Sequence, residues 1–305
     1  MDLVICNTPL QVLQIENLLK LGILKKNNFE LIFFVYNETE KLTYYYNRLK
    51  KMSSNSIYYK YKKFPFYVYD LKKIFKGKIY NSIYTASIDN KLNHYILSFS
   101  IFKSLYTIDD GTANIWRNSS YYVENKNMIK SLLHYSLGCK FDLVKTKEKI
   151  KKHYTIYKDQ PNIIENTIYN EMFTSTKKNN FTSKSINIFL GTVYEEVTLK
   201  KEDLIHTLDS FLSQHNFYYI PHPRDNEHYF KNVLYIESEK ISEEIISNML
   251  DEYCNINLYG FGSSVQFNLL HIDGINNFQL VSSHLKRNII IPNFSLEKIN
   301  IDRAS

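Results

Sequence analysis

The chain has 305 residues, 44% of them hydrophobic and 15% aromatic, with a formal net charge of +7. That is enough apolar material for one large domain or two of medium size, and it excludes a disordered chain. The mild positive balance suits an anionic ligand, a nucleic acid or an acidic membrane surface without choosing among them, and the three scattered cysteines, Cys6, Cys139 and Cys254, exclude a disulfide framework or a zinc site and fit a reducing compartment.

In chain order, Leu3–Cys6 is a short apolar run, read as a buried strand. The first residues do not make a signal peptide: the apolar stretch is short, no basic segment precedes it, and helix-like sequence follows directly. Thr8 is placed to cap that helix, with Pro9 at its first position and Leu10, Val12, Leu13, Ile15, Leu18 and Leu19 at helical spacing. Leu31–Tyr36 reads as a second strand, Lys41–Met52 as a helix, and Ile79–Tyr84 and Leu105–Ile108 as further strands. No window approaches the roughly 18 apolar residues of a membrane span. Lysine runs such as Lys62-Lys63, Lys72-Lys73 and Lys151-Lys152 read first as solvated faces, and second as a stripe for anionic headgroups.

Residues 156–185, rich in Lys, Asn, Thr and Ser, read as a hinge and linker. A second alternation follows: strands at Ile186–Leu190, Phe217–Ile220, Val233–Ile236 and Ile256–Tyr259, with helices at Asp203–Ser213, Ser242–Leu250 and Ser264–His271. Gln279–Ser282 and Ile289–Ile291 are late strands. The pattern predicts an α/β protein of two Rossmann-like domains, 1–155 and 186–305, facing each other across a cleft.

Ligands of open α/β sheets bind beyond the carboxyl ends of the strands. Four strand ends here carry chemistry. Asp109-Asp110-Gly111-Thr112 is a good turn sequence, and its carboxyl pair can also serve as acid or base. Gly191-Thr192-Val193-Tyr194-Glu195-Glu196 ends in an acidic pair that suits a helix start. Gly260-Phe261-Gly262-Ser263-Ser264 makes a tight turn or cradles a phosphate, and it lacks the lysine and spacing of a P-loop. In Pro221-His222-Pro223-Arg224-Asp225, two prolines stiffen the backbone around His222 and Arg224 adds a cation. A fixed imidazole at a cleft edge suits a phosphate.

The opening MDLVICNTPLQVL, then DDGTAN, LGTVYEE, IPHPRD and GFGSS, in this order over nearly the whole chain, resembles the bacterial sialyltransferases of glycosyltransferase family 52. The HP and SS elements are shared more loosely with other bacterial sialyltransferases and polysialyltransferases. The resemblance implies a GT-B-like fold, nucleotide in the C-terminal domain, acceptor toward the N-terminal one, CMP-sialic acid as donor, inversion, and no metal or other cofactor. It also implies a homodimer, and work in the cytoplasm at the inner face of the membrane on a lipid-linked surface glycan, without nucleic acid. Some family members transfer glucose, so a hexose donor is the alternative, and a non-catalytic sugar-nucleotide-binding protein is another. The chain contains no Asp-x-Asp, the usual clamp for a metal and a diphosphate sugar. CMP leaves with one phosphate, which a histidine, serine hydroxyls and a helix start can hold.

By the resemblance the base lies shortly before the His-Pro element, which carries over to Glu195 or Glu196, although the family uses an aspartate there. Other sialyltransferase families place it in a D/E-D/E-G turn, which carries over to Asp110. His222 is assigned to the CMP phosphate, also as a general acid, with Ser263 and Ser264 on the same phosphate. Gly191, Thr192, Pro223, Gly260 and Gly262 are expected to line the donor pocket, and Arg224 to support it.

Overall fold

The computed structural model describes residues 1–122, 128–173, 184–225, 227–286 and 296–303. The chain divides into two compact units, Met1–Met172 and Phe173–Ser305. The first runs β1 (Asp2–Cys6), α1 (Pro9–Lys20), β2 (Phe29–Val35), α2 (Glu40–Lys50), β3 (Asn55–Lys60), α3 (Phe66–Phe75), β4 (Ile79–Thr85), α4 (Lys91–Phe99), β5 (Ile101–Ile108), α5 (Met128–Ser136), α6 (Leu143–Lys149), β6 (Ile150–Thr155) and β7 (Thr167–Tyr169). The second runs β8 (Ser185–Leu190), α7 (Tyr194–Val197), α8 (Lys201–Leu212), β9 (Phe217–Ile220), β10 (Val233–Tyr235), α9 (Ser242–Met249), β11 (Asn255–Gly260), α10 (Ser264–Asn268), β12 (Ile275–Val281) and β13 (Glu297–Asn300).

Each unit is built on one parallel sheet. The orders are β3-β2-β1-β4-β5-β6-β7 and β10-β9-β8-β11-β12-β13. Counted within its own unit, each sheet starts with the Rossmann order 3-2-1-4-5-6. The order reverses between β1 and β4 in the first and between β8 and β11 in the second, and such switch points are where open sheets bind ligands. Apolar residues of β1, β2 and β4 pack against α3 and α4 in the first core, including Leu3, Ile32, Ile83, Leu71 and Tyr95. Phe189, Leu204, Leu208, Phe217 and Leu280 lie in the second core. Burying such a side chain stabilises the fold by about 1.5–3 kcal/mol.

Most expected elements are present. The Thr8 hydroxyl accepts from Gln11 N–H with Pro9 leading α1. Phe217–Ile220 coincides with β9, while α10 stops at Asn268, short of the expected His271. The expected strand Ile289–Ile291 lies outside the described residues. The stretch 156–185 divides: Ile156, Tyr157, Ile164 and Asn170 are buried, and Thr167–Tyr169 extends the first sheet beside β6. Residues up to Met172 therefore belong to the first unit, because a few apolar anchors dock a segment whose composition is otherwise that of a linker. Residues 174–183 lie outside the described set.

β6 was hidden in the same way. Its sequence IKKHYT places lysines and a histidine in a strand, yet His153 is fully buried. The Thr107 hydroxyl donates to His153 Nδ1 at 2.8 Å, and Nε2–H donates to Asp109 Oδ1 at 3.0 Å. With both ring nitrogens satisfied, the imidazole is tolerated at the center of the layer.

Candidate active site

Three of the four chemistry-bearing strand ends lie side by side in the second unit. The strands β9, β8 and β11 are neighbors, so the segments after Ile220, Leu190 and Gly260 share one edge, at the switch point. Gly191 N–H donates to Ile220 C=O at 2.9 Å. A Cβ on Gly191 would lie 3.0 Å from the backbone nitrogen of His222 and 2.5 Å from the Tyr219 hydroxyl, so only glycine lets these two loops touch. The Tyr219 hydroxyl cannot retreat easily, since it bonds the buried Tyr194 hydroxyl at 3.2 Å. That bond also anchors the first residue of α7, which presents Thr192 just before it and Glu195 and Glu196 in its first turn.

His222 is held by the chain that follows it. Asp225 N–H donates to His222 C=O at 2.9 Å, and Arg224 N–H donates to Nδ1 at 3.2 Å. Because Nδ1 accepts, the proton of the neutral ring sits on Nε2, which can therefore donate to an anionic oxygen. Pro223 and Arg224 are exposed beside it. The Arg224 guanidinium grips Glu196 with two bonds, Nη1 to Oε1 at 2.7 Å and Nη2 to Oε2 at 3.0 Å.

The two glutamates are not equivalent. The hydrogen-bonded Arg224 guanidinium holds the Glu196 carboxyl below its usual range, and the charge of nearby His222 adds to this. Glu195 is also held down, chiefly by its bond from Lys201, which in turn reaches Glu227. Of the pair, Glu196 is the one associated with His222 and Arg224. If Glu196 is the base, activity falls as pH drops through its depressed pKa. Replacing Arg224 with glutamine removes that depression, so the acid limb of kcat/KM should move to higher pH. An unmoved limb would assign the base elsewhere.

The segment after β11 is built around Gln266. Gly262 takes a positive φ of 84°, and Ser263 caps α10, its hydroxyl accepting from Gln266 N–H at 3.4 Å. The Gln266 side chain returns: Oε1 accepts from Gly262 N–H at 3.0 Å and Ser263 N–H at 3.2 Å, while Nε2 donates to Phe278 C=O at 2.8 Å. Those two amides are thus already engaged. What the segment offers a ligand is the proton of the Ser263 hydroxyl and the exposed Ser264, next to the buried end of β11 at Gly260. The sequence signal for Gln266 is the capping-box spacing Ser263-x-x-Gln266.

Asp110 lies in the first unit, in a cluster of its own. Oδ1 accepts from Gln11 Nε2 at 2.9 Å, and Oδ2 accepts from Ser87 Oγ at 2.9 Å and Tyr121 OH at 3.0 Å. Its N–H donates to Asn114 Oδ1 at 3.1 Å. Burial, with the charges of Asp110 and Asp89 adding, pushes the Tyr121 phenol up, so it stays a donor. Asp109 is fully buried behind it. Gln14 bonds both main-chain groups of Asp109, and Ile156 N–H donates to Oδ2 at 2.6 Å. Gln11, Ser87 and Tyr121 converge from distant parts of the chain, and no local pattern marks them. Among the described residues no group of three or more His, Cys, Asp or Glu side chains is arranged to hold a metal ion, and no helix is long and apolar enough to cross a membrane.

Two parallel-sheet units of Rossmann order, with the motif-bearing strand ends gathered at a switch point, agree with the comparisons to known proteins. The profile of glycosyltransferase family 52 matches residues 26–284. The chain is 30% identical over 279 residues to the CMP-N-acetylneuraminate:beta-galactoside alpha-2,3-sialyltransferase of Pasteurella multocida, covering 89% of this chain and 88% of that one. It is 30% identical over 277 residues to the N-acetyllactosaminide alpha-2,3-sialyltransferase of Haemophilus influenzae, covering 88% of each. The solved structure of CalG4, the calicheamicin glycosyltransferase, superposes with a TM-score of 0.51 at 8% identity, over 92% of this chain and 79% of that one, a likeness of fold. The chain belongs to glycosyltransferase family 52, and its fold is of the GT-B type.

Proposed function

We propose that the protein is an inverting sialyltransferase that moves sialic acid from CMP-sialic acid to a terminal galactose of a bacterial surface glycan, lipooligosaccharide or capsule, in α2,3 linkage. The names of the relatives support the donor and the linkage. The observation that carries the reading is the His222 ring, whose Nδ1 is engaged by Arg224 N–H on the edge shared with Ser263 and Ser264.

The donor's phosphate meets the Nε2–H of His222 and the hydroxyls of Ser263 and Ser264, with Gly191, Thr192, Pro223, Gly260 and Gly262 around the nucleotide. The galactose hydroxyl attacks the anomeric carbon of sialic acid, the bond from that carbon to the phosphate oxygen breaks, and CMP departs. Charge that develops on the phosphate is met by preplaced donors, which need no reorganization during the reaction. Glu196 takes the proton of the attacking hydroxyl, and Arg224 keeps it ionized to receive it. Inversion requires base and leaving group on opposite faces of the reacting carbon. A second reading makes Asp110 the base, since three donors fix its carboxyl group while Oδ1, which accepts a single bond, retains accepting capacity.

The test is release of CMP from CMP-sialic acid with a panel of galactose-terminated acceptors, repeated for Glu196→Gln and Asp110→Asn. The base variant should lose the acid limb of the pH profile along with turnover. A thermal-shift panel of CMP, UDP and CMP-sialic acid separates this donor from a hexose donor, because the right nucleotide stabilizes the fold by mass action. Stabilization by UDP alone would reject CMP-sialic acid.

A further inference from the structure

The carboxyl edge of the first sheet carries a second feature beside the Asp110 cluster. Tyr36 directly follows β2 and Tyr61 directly follows β3, and these strands are adjacent. Their rings lie 5.1 Å apart, tilted by 37°, and remain 46% and 42% exposed. Single exposed aromatics need no explanation, whereas a cluster does. This pair is continued by Phe64, which is also exposed, and by the buried Tyr67, 6.1 Å from both Tyr61 and Phe64. Tyr36 is also fixed in place, and Tyr61 packs against it and against Tyr67. Asn90 Nδ2 donates to the Tyr36 hydroxyl at 2.8 Å, and Asn90 itself is held as the cap of α4 through Leu92 N–H.

The sheet order places these rings in line with the polar cluster. From β3 to β5 the edge reads Tyr61, Tyr36, then Gln11 on the helix after β1, then Ser87 and Asn90 after β4, then Asp110 after β5. Three strand intervals, roughly 14 Å, separate the ends of β2 and β5, and the Tyr36 side chain crosses part of that gap, its hydroxyl bonding Asn90 after β4 and feeling the Asp110 charge. Tyr61 lies one strand farther out, so an occupant that covers both rings and also reaches Asp110 is longer than one pyranose. A pyranose presents hydroxyls at its rim and a face of C–H groups. The rim matches the hydrogen-bonding end, and the C–H face matches the negative face of an aromatic ring. Rigid rings already anchored in position lose little entropy on binding.

We propose that Tyr36 and Tyr61 form an aromatic platform for the second sugar of the acceptor glycan, the one next to the galactose whose hydroxyls face Asp110. The assignment of the acceptor to this edge rests on the reading of the protein as a sialyltransferase. The platform makes the enzyme select a disaccharide terminus over an isolated galactoside.

The test compares lactose with methyl β-galactoside as acceptors for CMP-sialic acid. The wild type should prefer lactose in kcat/KM, and the Tyr36→Ala/Tyr61→Ala variant should lose about tenfold of that preference, corresponding to about 1.4 kcal/mol. The Tyr36→Phe/Tyr61→Phe variant should keep it, because the ring faces remain. An equal loss with both acceptors, or loss of the preference in the phenylalanine variant, overturns the platform. Saturation-transfer NMR of lactose without nucleotide supplies an independent readout. Saturation should reach the glucose ring in the wild type and not in the alanine variant. If the glucose ring is saturated but CMP-sialic acid is never turned over, the reaction fails and the platform stands. If the wild type saturates only the galactose ring, or neither ring, the platform fails whatever the reaction.

Discussion

Replacing His222 with alanine should lower turnover of CMP-sialic acid by roughly 10²–10⁴-fold, the usual worth of a placed proton donor. The melting temperature should stay close to that of the wild type, since the ring is only partly buried and its loop is also held by Gly191 and Asp225. The loss should appear in kcat more than in acceptor KM, because the imidazole is assigned to a leaving group whose charge grows in the transition state. His222→Gln should recover part of the loss, having an amide N–H to donate but no titratable proton. Full activity in His222→Ala would remove the imidazole from the mechanism.

The largest effect on stability should come from Asp109, a residue that never meets solvent. Both of its carboxyl oxygens accept, one from His153 Nε2–H and the other from Ile156 N–H. Asp109→Ala orphans two buried donors and opens a void, and each buried donor left unsatisfied costs about 1–3 kcal/mol. For a unit of this size the melting transition should fall by roughly 10 °C. Asp109→Asn should also be destabilizing, because its amide turns a donor toward one of those two donors. Differential scanning calorimetry of both variants checks this, and a change of less than about 2 °C for the alanine variant would contradict the account.

Much of the fold could be read from continuous apolar runs. LIFFVY, INIFL and FYYI are strands because a parallel sheet covered on both faces needs side chains that are apolar in every direction. β3 and β6 were harder, since NSIYYK and IKKHYT interleave polar residues that tertiary partners satisfy. The second unit's candidate site was legible because its residues sit directly after strands, and a parallel sheet of this order must collect them at one edge. The partners of Asp110 were not. Gln11, Ser87 and Tyr121 come from an early helix, the loop after β4 and a segment beyond β5, and only the folded sheet aligns them. The different neighbors of Glu195 and Glu196 were equally invisible, because adjacent residues at a helix start diverge by about 100° around its axis.

The whole account depends on where the departing nucleotide sits, and a crystal structure of the protein with CMP at saturating concentration addresses that directly. The expected result is a phosphate whose oxygens lie within hydrogen-bonding distance of His222 Nε2 and of the Ser263 or Ser264 hydroxyl. CMP lodged away from these groups, or failing to bind at all, would contradict it.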